Sequence, residues 1–248
     1  MKVRTLLPLF SVLLMLPFTT TRAQPNFVPD RPGLGDGSYI LQPKITYLES
    51  GFEYFEGGAV DQFSLGQVLF RHGLVPGVEM RVQVNSFIIE TRPLDNETGV
   101  PDPGLGLKFD LLDQQDSCFQ LSGMGSVSVP AGYSPFTDDR WHPSAKLIAD
   151  YDLTEGCCWT FNSNLGYTLG PGETSITTIT FTPGFAIPET NYGGYFGYAG
   201  FLKEQNSEHF VEAGLTRMVD HALQLDINTG YDLNNGNSFV GLGLAVRF

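Results

Sequence analysis

The sequence predicts an all-β chain folded as a transmembrane antiparallel up-and-down β-barrel of about 12 strands. Three observations lead there. Apolar and polar residues alternate along most of the chain, while no long segment repeats apolar residues at spacings of three and four, as a helix would. The alternating segments are near or above the roughly 9 to 11 residues that a tilted membrane strand requires. The last stretch, GLGLAVRF at Gly241 to Phe248, alternates to its end and stops on an aromatic residue.

The elements follow in chain order. Met1 to Ala23 carries Lys2 and Arg4, then an uncharged apolar run, then Thr21-Arg22-Ala23. That is the pattern of a secretory signal, and residues 1–23 are set aside from the fold. Residues 24–37 are rich in Pro and Gly and read as a disordered periplasmic leader in preference to a plug of the lumen. The barrel is expected over residues 38–248. Its strands are expected near 38–49, 61–72, 77–91, 103–113, 117–130, 142–153, 157–169, 174–187, 192–203, 208–218, 221–233 and 238–248. The clearest is the third, where Val78, Met80, Val82 and Val84 share one face and Glu79, Arg81, Gln83 and Asn85 the other. Long connections at 50–60, 92–102 and 131–141 alternate with short ones at 73–76, 114–116 and 154–156, as the two ends of such a barrel require. Pro43, Pro143 and Pro183 fall inside expected strands and mark strand ends or bulges.

Composition removes several function classes. The formal net charge is −13, and it becomes more negative once Lys2, Arg4 and Arg22 leave with the signal. Nucleic acid is therefore not an expected partner, because phosphate binding needs clustered Lys and Arg. The cysteines are Cys118, Cys157 and Cys158, an odd number, with no CxxC spacing. No metal site is expected among them and four scattered histidines, and no motif calls for a cofactor.

The terminal strand separates this chain from a soluble sandwich, which also alternates. A closed barrel pairs its last strand with its first, so the chain can stop inside the wall without an exposed edge. Leu242, Leu244 and Val246 would then face lipid, with Phe248 at the interface. An exported chain with such an ending resembles the bacterial outer-membrane barrels. The resemblance implies that these four residues are the signal read by the barrel-assembly machinery, and that outer-membrane lipid is a partner. Three internal stretches further resemble the family of outer-membrane transporters of the phenol meta-cleavage (MetA-pathway) degradation type: RHGLVPGVEMRVQ (Arg71 to Gln83), PDPGLGLKFDLL (Pro101 to Leu112) and SVSVPAGYSP (Ser126 to Pro135). Val129-Pro130 stands where the family pattern has Leu-Pro.

A barrel of this size lies between those filled by side chains and those that hold a wide aqueous channel. The expected function is a channel or transporter for small solutes in the bacterial outer membrane, and the resemblance extends this to aromatic or hydrophobic compounds. The candidate lumen-lining residues are Glu79, Arg81, Lys108, Asp110, Lys146, Asp150 and Asp226, a mixture of both signs that could orient a dipolar or carboxylated solute. The Tyr- and Gly-rich stretch from Tyr192 to Phe201 could serve apolar molecules as a slide. Two other classes remain: a structural or adhesive barrel acting through acidic outer loops, and an outer-membrane lipid hydrolase. The hydrolase would need a nucleophile and base, and His142 beside Asp138, Asp139, Ser134 and Ser144 is its best candidate. No catalytic residue is assigned, and no enzyme is expected.

Overall fold

A computed structural model describes residues 27–58, 60–93, 95–112, 118–137, 139–154, 158–170 and 175–248. The expected signal and Cys157 lie outside them. The strands are β1 (Thr46–Glu56), β2 (Asp61–Val75), β3 (Val78–Val84), β4 (Phe87–Thr91), β5 (Asn96–Gly99), β6 (Gly104–Asp110) and β7 (Phe119–Ser128). The chain continues through β8 (His142–Asp152), β9 (Trp159–Leu169), β10 (Ser175–Ala186), β11 (Tyr192–Leu202), β12 (Glu208–Met218), β13 (Leu223–Asp232) and β14 (Ser238–Arg247). Neighbours are antiparallel, and β1 pairs with both β2 and β14, so the sheet closes on itself.

These strands cross the wall as a closed 12-strand barrel, with two further strands carried by an interruption. Val68 pairs with Val84 and Leu65 with Phe87, so β3 and β4 run along β2 in one register. On their other side Gln83 pairs with Gly104 and Ile88 with Gly99, again in one register. Residues 78–110 are therefore one long hairpin whose ladder is broken midway. Pro101 and Pro103, which have no N–H to donate, sit in the break. Across it, Asn85 Nδ2 donates to the Asp102 carbonyl, and the Tyr133 N–H donates to the Val100 carbonyl at 2.8 Å.

The alternation places the faces as expected. Leu105, Leu107, Phe109, Leu147, Leu165, Phe181, Phe196, Leu242 and Leu244 are apolar and exposed, whereas Glu79, Arg81, Lys108, Asn164 and Asp226 are buried. A closed ladder leaves no unpaired edge to lipid, so the exposed apolar face is a hydrocarbon-facing wall. Exposed aromatics ring it at both ends. Phe119, Tyr151, Trp159 and Phe248 lie toward the lower end, where β1 starts and β14 finishes; Phe63, Trp141, Tyr167 and Tyr231 lie toward the upper one. This is the fold of bacterial outer-membrane barrels.

Some boundaries differ from those expected. The first strand starts at Thr46, not residue 38, and extends to Glu56 through what was expected as a loop. Residues 38–41 are instead drawn inward: Ser38 Oγ donates to Gln120 Oε1 at 3.2 Å, and the Leu41 N–H donates to Glu79 Oε2 at 3.1 Å. Pro43 consequently lies outside the wall. Pro183 remains within β10, where Phe181 pairs with Tyr198 and Gly184 with Tyr195 but the two residues between have no partner on β11. Cys118, just before β7, is exposed with a free thiol.

Candidate functional site

The inward face of the wall is occupied by the chain's own N-terminal segment, residues 27–41. Residues expected as a periplasmic leader therefore run through the lumen from Phe27 onward. The reason is a set of polar bonds reaching round the wall. Asp30 is the centre of one end. Its Oδ2 accepts from Arg81 Nη1 at 2.5 Å, its Oδ1 lies 3.2 Å from Arg71 Nη1, and Lys108 Nζ is 3.7 Å away. Arg71 in turn donates to Glu79 Oε1 at 2.8 Å and to Glu49 Oε1 at 3.0 Å. The five side chains around Asp30 come from β1, β2, β3 and β6, with Arg71 and Arg81 paired directly across the β2–β3 hairpin.

The opposite side of the segment is held by β8 to β14. Arg31 Nη2 meets Asp226 Oδ1 at 3.2 Å, and the Arg31 guanidinium lies across Gly51 and Gly243, which are register partners in the seam between β1 and β14. A Cβ on Gly243 would stand 2.2 Å from Arg31 Nε. The Pro32 carbonyl accepts from Asn228 Nδ2 at 2.9 Å and from the Tyr195 hydroxyl at 3.3 Å. The Leu34 N–H donates to Glu212 at 3.2 Å. Asp36 binds Arg81 Nη2 at 2.9 Å and Lys146 Nζ, while its carbonyl accepts from Asn162 and Asn164 at 2.9 and 3.0 Å. The Ser38 N–H donates to Asp150 Oδ2 at 2.5 Å.

Six of the seven expected lumen residues thus gather on one ligand, the segment itself: Glu79, Arg81, Lys108, Lys146, Asp150 and Asp226. The seventh is Asp110. It ends β6 at the lower rim, where its N–H donates to the Gly77 carbonyl at 2.9 Å. Sequence reasoning did not single out Arg71, Glu49 or Glu212, nor the plug residues Asp30, Arg31 and Asp36. The usable signal was charge within the Pro- and Gly-rich stretch, matched by charges of both signs on the inward faces.

Burial would push the Asp30 carboxyl up, but Arg71, Lys108 and Arg81 outweigh it and hold the group well below the ordinary carboxylate range. Asp36 is lowered likewise, its burial overcome by Lys146 and Arg81. A carboxyl lowered on docking adds stability that is complete above its free value, near pH 4, and is lost only as pH falls through the lowered value. Hydrogen-exchange protection of residues 30–36, corrected for intrinsic rates, is therefore expected to hold from pH 7 to about 4.5 and to fall in stronger acid. Loss already near pH 6 would show that these two carboxylates do not anchor the segment.

The segment divides the remaining space. A lower cavity of about 890 Å³ is lined by Tyr39, Gln120, Asp150, Asp152 and Asp220. An upper one of about 320 Å³ is lined by Gln83, Met124, Ser126, Ser144 and Thr168, and a third of about 180 Å³ by Glu49, Gln67 and Leu69. Phe201, Phe210 and Phe239 form an aromatic patch with Ala199, Phe55 and Leu34. Of the Tyr192–Phe201 stretch only part faces inward; Phe196 is exposed outside and the Tyr198 hydroxyl meets His209 Nδ1 at 2.6 Å. Of the candidate hydrolase residues, Ser144 Oγ pairs with Ser126 Oγ at 2.6 Å, and His142 Nδ1 meets the Leu169 carbonyl at 2.8 Å. Asp138 lies outside the described residues.

Comparison with known proteins gives a family and a fold. A family model described as "Putative MetA-pathway of phenol degradation" matches residues 29–248. No curated protein matches the chain. Among solved structures, it is similar to an outer membrane channel from Pseudomonas putida F1, with a TM-score of 0.68 and 14% identity over 87% of this chain and 100% of that one. The NanC porin gives 0.58 and 9% over 80% and 98%. The KdgM porin gives 0.56 and 10% over 81% and 99%.

Proposed function

Because the chain belongs to the family described as "Putative MetA-pathway of phenol degradation", we propose that it is an outer-membrane channel for small solutes, aromatic compounds among them, whose lumen is closed by residues 27–41. One observation carries the reading. The inward wall is charged and polar, and Glu79, Arg81, Lys108, Lys146 and Asp226 among its charged groups bond to a segment held through side-chain bonds rather than by a packed apolar core. Buried charges without such partners would cost several kcal/mol each, so the wall suits either the segment or water and solute. The aromatic patch of Phe201, Phe210 and Phe239 gives the lumen an apolar side as well, which supports a solute with a ring. With its lower end in the periplasm, the larger cavity opens inward to the cell and the upper one outward.

Planar-bilayer conductance tests this, using samples whose gel mobility shifts on heating as a folded barrel's does. The mature chain is expected to give small steps, and a chain starting at Gln42 steps several times larger. A folded, shortened barrel that carried no current would refute the channel.

A further inference from the structure

The three cavities meet at one side chain. Asp36 lines the lower, upper and third cavities, the one residue among those described that all three share. Its carboxylate is shared between two cations, with Oδ1 on Arg81 Nη2 at 2.9 Å and Oδ2 on Lys146 Nζ. The cations are held unequally. Arg81 also pairs with Asp30 at 2.5 Å and Glu79 at 3.2 Å, whereas among the described residues Asp36 is the ion-pair partner of Lys146. The Lys146 side chain keeps 21% exposure against 7% for Arg81, and both border the upper cavity. The lysine stem lies over its cross-strand partner Gly166, where a Cβ would come within 3.4 Å of Lys146 Cε. The other carboxylate at that cavity, Asp102, is occupied by the Ala131 and Gly132 N–H groups at 3.1 and 2.8 Å. With Asp36 withdrawn, the floor of the upper cavity is cationic.

We propose that Lys146 and Arg81 form a carboxylate-recognition site, at which the carboxylate of a small solute from the upper cavity replaces Asp36 and so opens the passage. This deepens the channel reading and rests on it. Asp36 occupies the site as an internal stand-in for the solute's anion. Exchange of one carboxylate for another leaves both cations paired, with charge-assisted hydrogen bonds of the same kind. A neutral solute that displaced Asp36 would leave Lys146 largely buried without a counter-charge, which is unfavourable. A cavity of about 320 Å³ is at the small end of the range for ligand pockets, which limits the solute to a short acid.

The test uses the mature protein in planar bilayers with potassium butyrate and, as a neutral analogue of similar shape, butyramide. Butyrate is expected to raise the mean current along a saturating curve and butyramide to leave it unchanged. Asp36→Asn should be open without either. In that open background, adding Lys146→Gln should lower butyrate permeability relative to potassium about tenfold, equivalent to roughly 1.4 kcal/mol. The site is overturned if the wild type shows no saturating response to butyrate, if butyramide acts equally, or if the double variant keeps its permeability ratio. A folded Asp36→Asn barrel that carries no more current than the wild type likewise overturns the site, and current through the folded chain starting at Gln42 would in each of these cases preserve the channel reading.

Discussion

Replacing Arg71 with alanine is expected to destabilise the folded barrel by about 3–5 kcal/mol, the cost of breaking a buried ion pair by removing one partner. Arg71 is wholly buried. Its guanidinium donates to both oxygens of Glu79 at 2.8 and 3.0 Å and to Glu49 at 3.0 Å, and it also donates to the Tyr39 carbonyl at 3.1 Å and the Val28 carbonyl at 3.3 Å. It stands 5.5 Å from the centre of the Tyr47 ring. Truncation leaves Asp30, Glu49 and Glu79 crowded in the same space, with Arg81 and Lys108 to offset them. Arg71→Lys should recover part of the loss, because an ammonium restores the charge but not the forked geometry that serves Glu79 with two bonds. Urea unfolding in lipid vesicles, read by the heat-shifted gel band, measures both variants. A loss below about 1 kcal/mol would mean that water reaches the cluster and solvates the carboxylates.

The second large effect is expected at Gly73, where the segment leaves the lumen and turns into β1. The Gly73 N–H donates to the Ile45 carbonyl at 3.0 Å, and the Lys44 N–H donates to the Gly73 carbonyl at 2.9 Å. A Cβ at this position would lie 2.1 Å from the Gln42 carbonyl oxygen and 2.6 Å from that of Leu41. Both are main-chain atoms and cannot rotate away. Gly73→Ala should therefore cost about 1–3 kcal/mol through overpacking. Because the displaced residues include Leu41, whose N–H holds Glu79, the variant should also conduct more than the wild type. An unfolding midpoint and conductance both unchanged would show that the turn at Gln42 gives way freely.

The wall was legible because lipid on one side and polar contents on the other enforce a period of two, and residues 78–84 and 238–248 record it without interruption. The first strand was not placed correctly, since residues 38–41 are buried against lumen side chains. Burial inside a barrel selects the same residue types as burial in its wall. The charged face was read from Glu79, Arg81, Lys108 and Lys146, but not what it holds. Pro29, Pro32, Gly33, Gly35 and Gly37 let a chain fold tightly within a narrow space, and the same composition marks a disordered leader. Two of the stretches that carried the family resemblance turn out to be the docking surface: Arg71 to Gln83 contributes Arg71, Glu79 and Arg81, and Pro101 to Leu112 contributes Lys108. The broken hairpin was half visible, its prolines plain in the sequence, while its preserved register needed the pairing of Ile88 with Gly99.

The seat of Arg31 has a consequence for the order of assembly. Gly51 belongs to the first strand and Gly243 to the last, and the groove across them exists only when those strands are hydrogen bonded. The segment's other anchors accumulate along the chain, from Glu49 near its start to Asp226 near its end. The segment therefore cannot be fully seated before the seam closes, and once the seam has closed it is enclosed by the wall that it precedes. Seated there, Arg31 fastens the joint that it lies across, and the segment acts as a clasp between the first strand and the last.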